Sequence, residues 1–186
     1  MPTSTYPSRR IKRPRRLPSG EIEIVRVSTP LDFSQAALLL GEQRAHTERL
    51  LDCDLAEMQP SAQFEYAFLS DFYSPPNGQL LLARVAEDPV GVIGVRRLDQ
   101  DLGECKRFFV RQSARGLGIG RQLVDELLSV ARSFGFQTLY AETWPDKMGA
   151  SYEMCRRLGF RETTKRNFHG MDGIVAMRLP LDAVAA

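Results

Sequence analysis

Apolar and polar residues alternate from Glu21 to Val27 (E-I-E-I-V-R-V), the period of a strand with one buried face. The spacing then lengthens. Ala36, Leu39, Leu40, Leu50 and Leu51 recur at helical intervals, predicting a helix over 33–51 with Asp32 as its cap or first-turn residue. Residues 61–72 (S-A-Q-F-E-Y-A-F-L-S-D-F) predict a second helix, and Ser74-Pro75-Pro76-Asn77-Gly78 a turn. Two apolar runs follow, Gln79–Ala86 and Val90–Leu98, joined through Glu87-Asp88-Pro89 as a hairpin. Glu104–Val110 predicts a third strand of this group. Gly118–Phe134 carries Leu123, Leu127, Leu128 and Ala131 on one helical face and stops at Gly135. Strand Thr138–Thr143, helix Met148–Leu158 stopped by Gly159, and strands near Phe160–Thr164 and Ile174–Leu179 complete the pattern. The order β-α-α-β-β-β-α-β-α-β-β is a mixed α/β (α+β) layout without internal repeats.

The 186 residues fit one such domain. Composition adds little to that: 43% hydrophobic and 26% charged residues are ordinary for a globular chain. No apolar run reaches the ~18 residues of a membrane span, and M-P-T-S-T-Y-P-S-R-R lacks the apolar core of a secretory signal. Three cysteines, Cys53, Cys105 and Cys155, form neither a disulfide framework nor a zinc pattern. A reducing, cytoplasmic setting and no metal are the expectation. His46 and His169 stand alone and receive no role.

Charge does change the picture. Arg9, Arg10, Lys12, Arg13, Arg15 and Arg16 precede the first acid, Glu21, so a basic arm adjoins a net acidic body. Residues 1–20, rich in proline, read as a disordered, solvated tail, preferred over a nucleic-acid contact. The domain proper is expected over 21–182.

The stretch with chemistry in it is Glu104-Cys-Lys-Arg-Phe-Phe-Val110, then Arg-Gln-Ser-Ala, then Arg115-Gly-Leu-Gly-Ile-Gly120-Arg121. A glycine-rich turn at a helix start leaves N–H groups unpaired and adds the helix dipole, which together attract an anion. Gly116, Gly118 and Gly120 let the main chain approach a ligand, and Arg115 and Arg121 add positive charge. Walker A chemistry needs Lys-Ser/Thr after the last glycine, and none follows. The dinucleotide pattern G-x-G-x-x-G fails too, at Arg121 or at Leu123.

With Arg115-x-x-Gly118-x-Gly120 in place of [QR]-x-x-G-x-[GA], the chain resembles the GCN5-related N-acetyltransferase (GNAT) superfamily. F-F-V before the turn, the long helix after it, and R-R-L-G-F at 156–160 strengthen the likeness. Tyr73-x-x-Pro76-x-Gly78 leading into L-L-L-A, then Pro89-Val-Gly91, resembles one subgroup with small-molecule acceptors. The resemblance spans about 21–180. It implies a central, mostly antiparallel sheet with splayed strands and helices on both faces. It implies acetyl-CoA as cosubstrate, its pantetheine paired with backbone groups of Phe108, Phe109 and Val110 between that strand and Thr138–Thr143. The pyrophosphate would rest on the backbone N–H groups of Arg115, Gly116, Leu117, Gly118, Ile119, Gly120 and Arg121.

Acetyl transfer to an amine needs a base, donors for the developing oxyanion, and a proton for the leaving thiolate. The resemblance assigns the base to Glu104, and the Val110 N–H is the expected oxyanion donor. Its usual acid, a tyrosine, is Cys155 here, with Tyr152 one turn away on the same face. Either could serve, or neither, and a CoA-binding sensor without turnover is the alternative reading. Acceptor choice is expected from 42–75 and from strands near 165–172. Glu42, Glu48, Asp52, Asp54 and Glu57 suggest a cationic amine. Exposed final strands could pair two copies.

Overall fold

The computed structural model describes residues 20–58, 60–164 and 173–181. The basic arm and the segment 165–172 lie outside them. Strands β1 (Ile22–Arg26), β2 (Gly78–Val85), β3 (Asp88–Arg97), β4 (Leu102–Val110), β5 (Thr138–Thr143), β6 (Arg161–Thr163) and β7 (Val175–Pro180) form one sheet in the order β1-β2-β3-β4-β5-β7-β6. Every neighbour is antiparallel except β4 and β5, which run parallel.

Helices cover both faces, which explains why β2 reads as an unbroken apolar run. Leu80 and Leu82 pack with Ala36, Leu39 and Leu40 of α1 (Pro30–Leu51) and with Leu69 and Tyr73 of α4 (Leu69–Tyr73). Alternating with them, Leu81 and Ala83 pack on the other face against Leu123, Leu127 and Val130 of α5 (Ile119–Ser133). Helix α6 (Gly149–Arg157) adds Cys155 to that second core.

The helix stops are set by glycine. Gly135 has φ +78° and Gly159 φ +95°. Behind each, an N–H closes back on the helix: Phe136 to Ala131 and Phe160 to Cys155. Helix α1 begins at Pro30, three residues earlier than expected, with Asp32 in its first turn as expected. Thr29 is the N-cap and Asp32 the third helical residue, the two exchanging hydrogen bonds in a capping box. The single helix expected over 61–72 is divided into α3 (Pro60–Ala67) and α4, after a one-turn α2 (Leu55–Met58). Phe68 leaves the helical region between them, and the break turns Tyr73 into the core, where its hydroxyl donates to Glu65 of α3.

Two features of β4 shape the site. Gly94 sits opposite Lys106 but Val92 opposite Phe109, so Ile93 of β3 faces two residues of β4, Arg107 and Phe108. The extra residue is a β-bulge at Arg107, a non-glycine at φ +62°. Parallel pairing with β5 covers only Leu102↔Thr138, Gly103↔Leu139 and Glu104↔Tyr140. Beyond Glu104 the two strands part.

Candidate active site

A cleft opens where β4 and β5 separate, at the carboxyl ends of the sheet's one parallel pair, the place where open α/β sheets take ligands. It contains two adjoining cavities. The larger, about 540 Å³, is lined by Phe108–Val110, by Ala114–Gly116 and Gly118–Gly120, and by the start of α6. His46, its ring tilted 50° to that of Phe109, also lines it. The smaller, about 190 Å³, lies between α1, Arg107, Tyr66 and the end of β5 at Glu142, Thr143 and Trp144. Gln43, Thr47 and Met148 line both.

The register of β3 and β4 decides which backbone groups reach the cleft. Arg111 N–H donates to Val90 C=O, so Arg111 and Val90 are a hydrogen-bonded pair and Gly91↔Val110 is not. Val110 therefore aims its N–H away from β3, into the gap. Phe109, opposite Val92, spends its N–H and C=O on β3. Of the three residues expected to offer backbone partners, Phe109 thus contributes only its ring. The Phe108 C=O accepts from Gln43 Nε2 (3.1 Å) and the Val110 C=O from Arg115 Nε (3.1 Å).

The glycine turn leads into the start of α5. Gly116 and Gly118 hold φ +82° and +78°, and a Cβ on either would meet nothing within 4 Å. Their requirement is therefore backbone conformation, not space. Gly120 is different, because a Cβ there would come within 3.1 Å of the Phe108 ring. Gly118 caps α5, so the unpaired first-turn amides at Ile119 and Gly120 border the larger cavity. These features fit a pyrophosphate at the helix start. Leu117 and Arg121 do not line this cavity; the Leu117 side chain is exposed, and that of Arg121 pairs with Asp125 one turn on (2.8 Å). Arg111 holds the end of β4 to α1 through a two-pronged contact with Glu42 (2.9 and 2.6 Å).

Glu104 does not reach the cleft. It is 6% exposed, accepts from Arg96 Nε, and has Lys106 Nζ at 3.5 Å. Beside it, Glu65 accepts from Arg107 Nε (2.8 Å) and Tyr73 Oη (2.5 Å), with Lys106 Nζ at 3.1 Å and Arg96 at 3.4 Å. Burial alone would push the Glu65 carboxyl up, but the Arg107 hydrogen bond and the Lys106 charge hold it down to about 2. Arg107 joins this cluster to the smaller cavity, its guanidinium lying 4.5 Å over the Tyr66 ring.

Neither expected acid lines the cleft. Cys155 is a core residue, and burial raises its thiol to about 11. A thiol that basic is a weaker acid than an ordinary thiol at ~8.5, so giving its proton to a leaving thiolate would be uphill. Tyr152 donates to Glu162 (2.6 Å), and that bond holds its hydroxyl above its usual range. Two of the acids expected to give 42–57 its character are engaged in ion pairs. Glu42 pairs with Arg111 and Glu48 with Arg44, while the smaller cavity carries two guanidiniums and one carboxylate.

Sequence reasoning passed over Gln43, Glu142, Thr143 and Trp144. The signal for the last three was the polar end of a strand at the sheet's parallel junction. Gln43, on a long helix without a motif, gave none.

The family description "Acetyltransferase (GNAT) family" matches residues 44–160, from mid-α1 to the end of the α6 turn. An uncharacterized N-acetyltransferase of Schizosaccharomyces pombe is 29% identical over 118 residues, 59% of this chain and 68% of that one. A GNAT-family acetyltransferase structure from Staphylococcus aureus superposes with TM-score 0.70 at 21% identity, covering 87% of this chain and 99% of that one. An acetyl-CoA complex of a GNAT acetyltransferase from Elizabethkingia anophelis superposes at 0.56 and 20% identity, covering 86% and 98%. Cradle, splayed strands and family match agree, and the chain belongs to the GNAT family of acetyltransferases.

Proposed function

We propose that the protein moves an acetyl group from acetyl-CoA to the amine of a small molecule bound in the smaller cavity. The observation that supports this most is the unpaired half of β4, ending in a helix-start cradle and opening beside a separate cavity. Acetyl-CoA supplies an acetyl group activated as a thioester. Gly116, Gly118, Ile119 and Gly120 would hold its pyrophosphate. Phe108, Phe109 and Val110 would line its pantetheine arm, with Arg115 fixing the turn through Val110. Residues 21–182 act as the catalytic unit.

The Val110 N–H is the oxyanion donor, since it points into the gap and is fixed by the sheet on its other side. The base is assigned to Glu142. It lines the acceptor cavity and is oriented by Tyr140 Oη at 2.6 Å. Glu104 supports it from behind, neutralising Arg96 and Lys106, and acts as a positioning residue. In the net change the amine nitrogen–acetyl bond forms and the carbon–sulfur bond breaks. One amine proton passes to Glu142, and the thiolate takes one from solvent.

Release of free thiol from acetyl-CoA in the presence of a panel of primary amines tests the reading. Turnover that falls at least ~100-fold in Glu142→Gln supports it, and turnover with no amine overturns it. A CoA-binding module without turnover is the second reading, favoured by the placement of Cys155 and Tyr152 away from the cleft.

A further inference from the structure

Behind the smaller cavity the charges do not balance. Among the described residues, the cations Arg96, Lys106 and Arg107 share only two carboxylates, Glu65 and Glu104. One positive charge is left over where a charge without a partner is costly. Burial pushes the Lys106 ammonium below its usual value. Arg107 is the most enclosed of the three, its side chain 13% exposed against 21% for Lys106 and 23% for Arg96. It is also the one of the three that lines the cavity. Its donors are only partly used. Nε donates to Glu65 (2.8 Å) and Nη1 to Tyr66 Oη (2.9 Å), and among the described residues nothing accepts from Nη2.

The cavity has two chemically different ends. Gln43, Thr47 and Met148 are shared with the larger cavity and mark the end where acetyl transfer would occur. At the other end a narrow recess of about 20 Å³ continues past Arg44, Leu55, Tyr66 and Arg107, and neither Glu142 nor Met148 lines it. Arg44 brings a second guanidinium to that recess, one already matched by Glu48 (2.8 Å) with Asp54 at 3.6 Å. The uncompensated charge is therefore that of the cluster, and Arg107 is its face toward the cavity. A ligand that brings one negative charge to this end completes the cluster. A surplus of one unit matches a carboxylate, whereas a phosphate monoester brings nearly two. The planar fork of a guanidinium is likewise the donor best shaped for a carboxylate.

We propose that the acceptor is an amino acid, an amine that also carries a free carboxylate, and that Arg107 binds this carboxylate at the recess end while the amine faces the larger cavity. This rests on the smaller cavity being the acceptor site. The carboxylate is an anchor and takes no part in bond making or proton transfer. The chain's one tryptophan, Trp144, lines the cavity, so its fluorescence reads acceptor binding without cofactor or turnover.

The experiment titrates the full chain with leucine and leucinamide, phenylalanine and phenylalaninamide, and 4-aminobutanoate and 4-aminobutanamide, in wild type and in Arg107→Gln. Within each pair only the carboxylate changes. In at least one pair the acid should bind wild type about tenfold or more tightly than its amide, the scale of a hydrogen bond to a charged group. In Arg107→Gln two cations still meet two carboxylates, and the preference should fall to within about threefold. Should that variant not fold, Arg107→Lys keeps a charge beside Glu65 without the fork, and should cut the preference by about threefold or more. Amides that bind as tightly as their acids in every pair overturn the proposal and leave the acceptor reading standing. A preference that survives substitution of Arg107 overturns it as well, because the carboxylate then sits elsewhere. The failure of the acceptor reading looks different. Acetyl-CoA would then raise the unfolding temperature while no acid and no amide alters Trp144 emission, and the proposal would fall with the cavity.

Discussion

The two halves of β4 are one strand under two regimes. From Leu102 to Glu104 it is paired on both sides, and the side chains there and just beyond join a buried ion cluster with Glu65 and Arg96. From Phe108 to Val110 it is paired with β3 only, and its other edge opens on the cleft. The bulge at Arg107 separates them, and Arg107 itself belongs to both, tied to Glu65 and lining the acceptor cavity. The comparison teaches that holding one edge unpaired requires the other half to be fixed firmly. The cluster under Arg107 does that fixing, and it explains why a carboxylate on the catalytic strand is structural.

The largest effect should come from the closed half. Glu65→Ala leaves Arg107, Lys106 and Arg96 facing Glu104 alone, and should cost about 3–5 kcal/mol in urea unfolding. A loss below ~1 kcal/mol would show that the cluster does not brace the strand. The pH dependence follows from the same carboxyl. Its folded value is about 2 against an ordinary 4.5, so the unfolded chain takes up the proton first on acidification. The stabilisation is complete above about 4.5 and drains away as pH falls toward about 2. In Glu65→Gln that part of the acid sensitivity should vanish.

Next comes the base. Glu142→Gln should lower kcat by about 100-fold or more with acetyl-CoA affinity unchanged. Glu104→Gln should lose stability first and leave the pH–rate profile in place. If the profile moves with Glu104 instead, the closed half is catalytic after all and the comparison breaks.

Gly118→Ala should cost about 1–2 kcal/mol, since φ +78° disfavours any Cβ even with open space around it. Acetyl-CoA affinity measured by calorimetry should fall with it. The smallest effect is expected at Tyr152→Phe, which removes an exposed bond to Glu162. Turnover within about twofold of wild type is the expected result, because no step of the proton transfer depends on Tyr152.

The open half and its cradle were legible in the sequence because glycine carries backbone information. Gly116 and Gly118 stand where φ is positive, and Gly135 and Gly159 stop helices where they were expected to. Apolar period placed every strand among the described residues, and the long helices, for the same local reason. The closed half was not legible. Glu65 meets Arg107 across 42 residues and Arg96 across 31, and no local pattern reports such a meeting. The resemblance alone assigns the base to Glu104, and no local pattern shows that Arg96 and Lys106 meet it in a buried cluster. The helix break at Phe68 was hidden for a related reason, since Tyr73 leaves the helical course to reach Glu65.

The central claim is that the open half of β4 and its glycine turn hold acetyl-CoA. Thermal unfolding with acetyl-CoA and free CoA, against NAD and ATP, tests it most directly. At 100 times its Kd a ligand of the native state adds about 2.7 kcal/mol. The account predicts a raised midpoint with both CoA species, none with NAD or ATP, and loss of the rise in Gly120→Val, whose Cβ would press on Phe108. An unchanged midpoint at millimolar acetyl-CoA, or an equal rise with ATP, would contradict it.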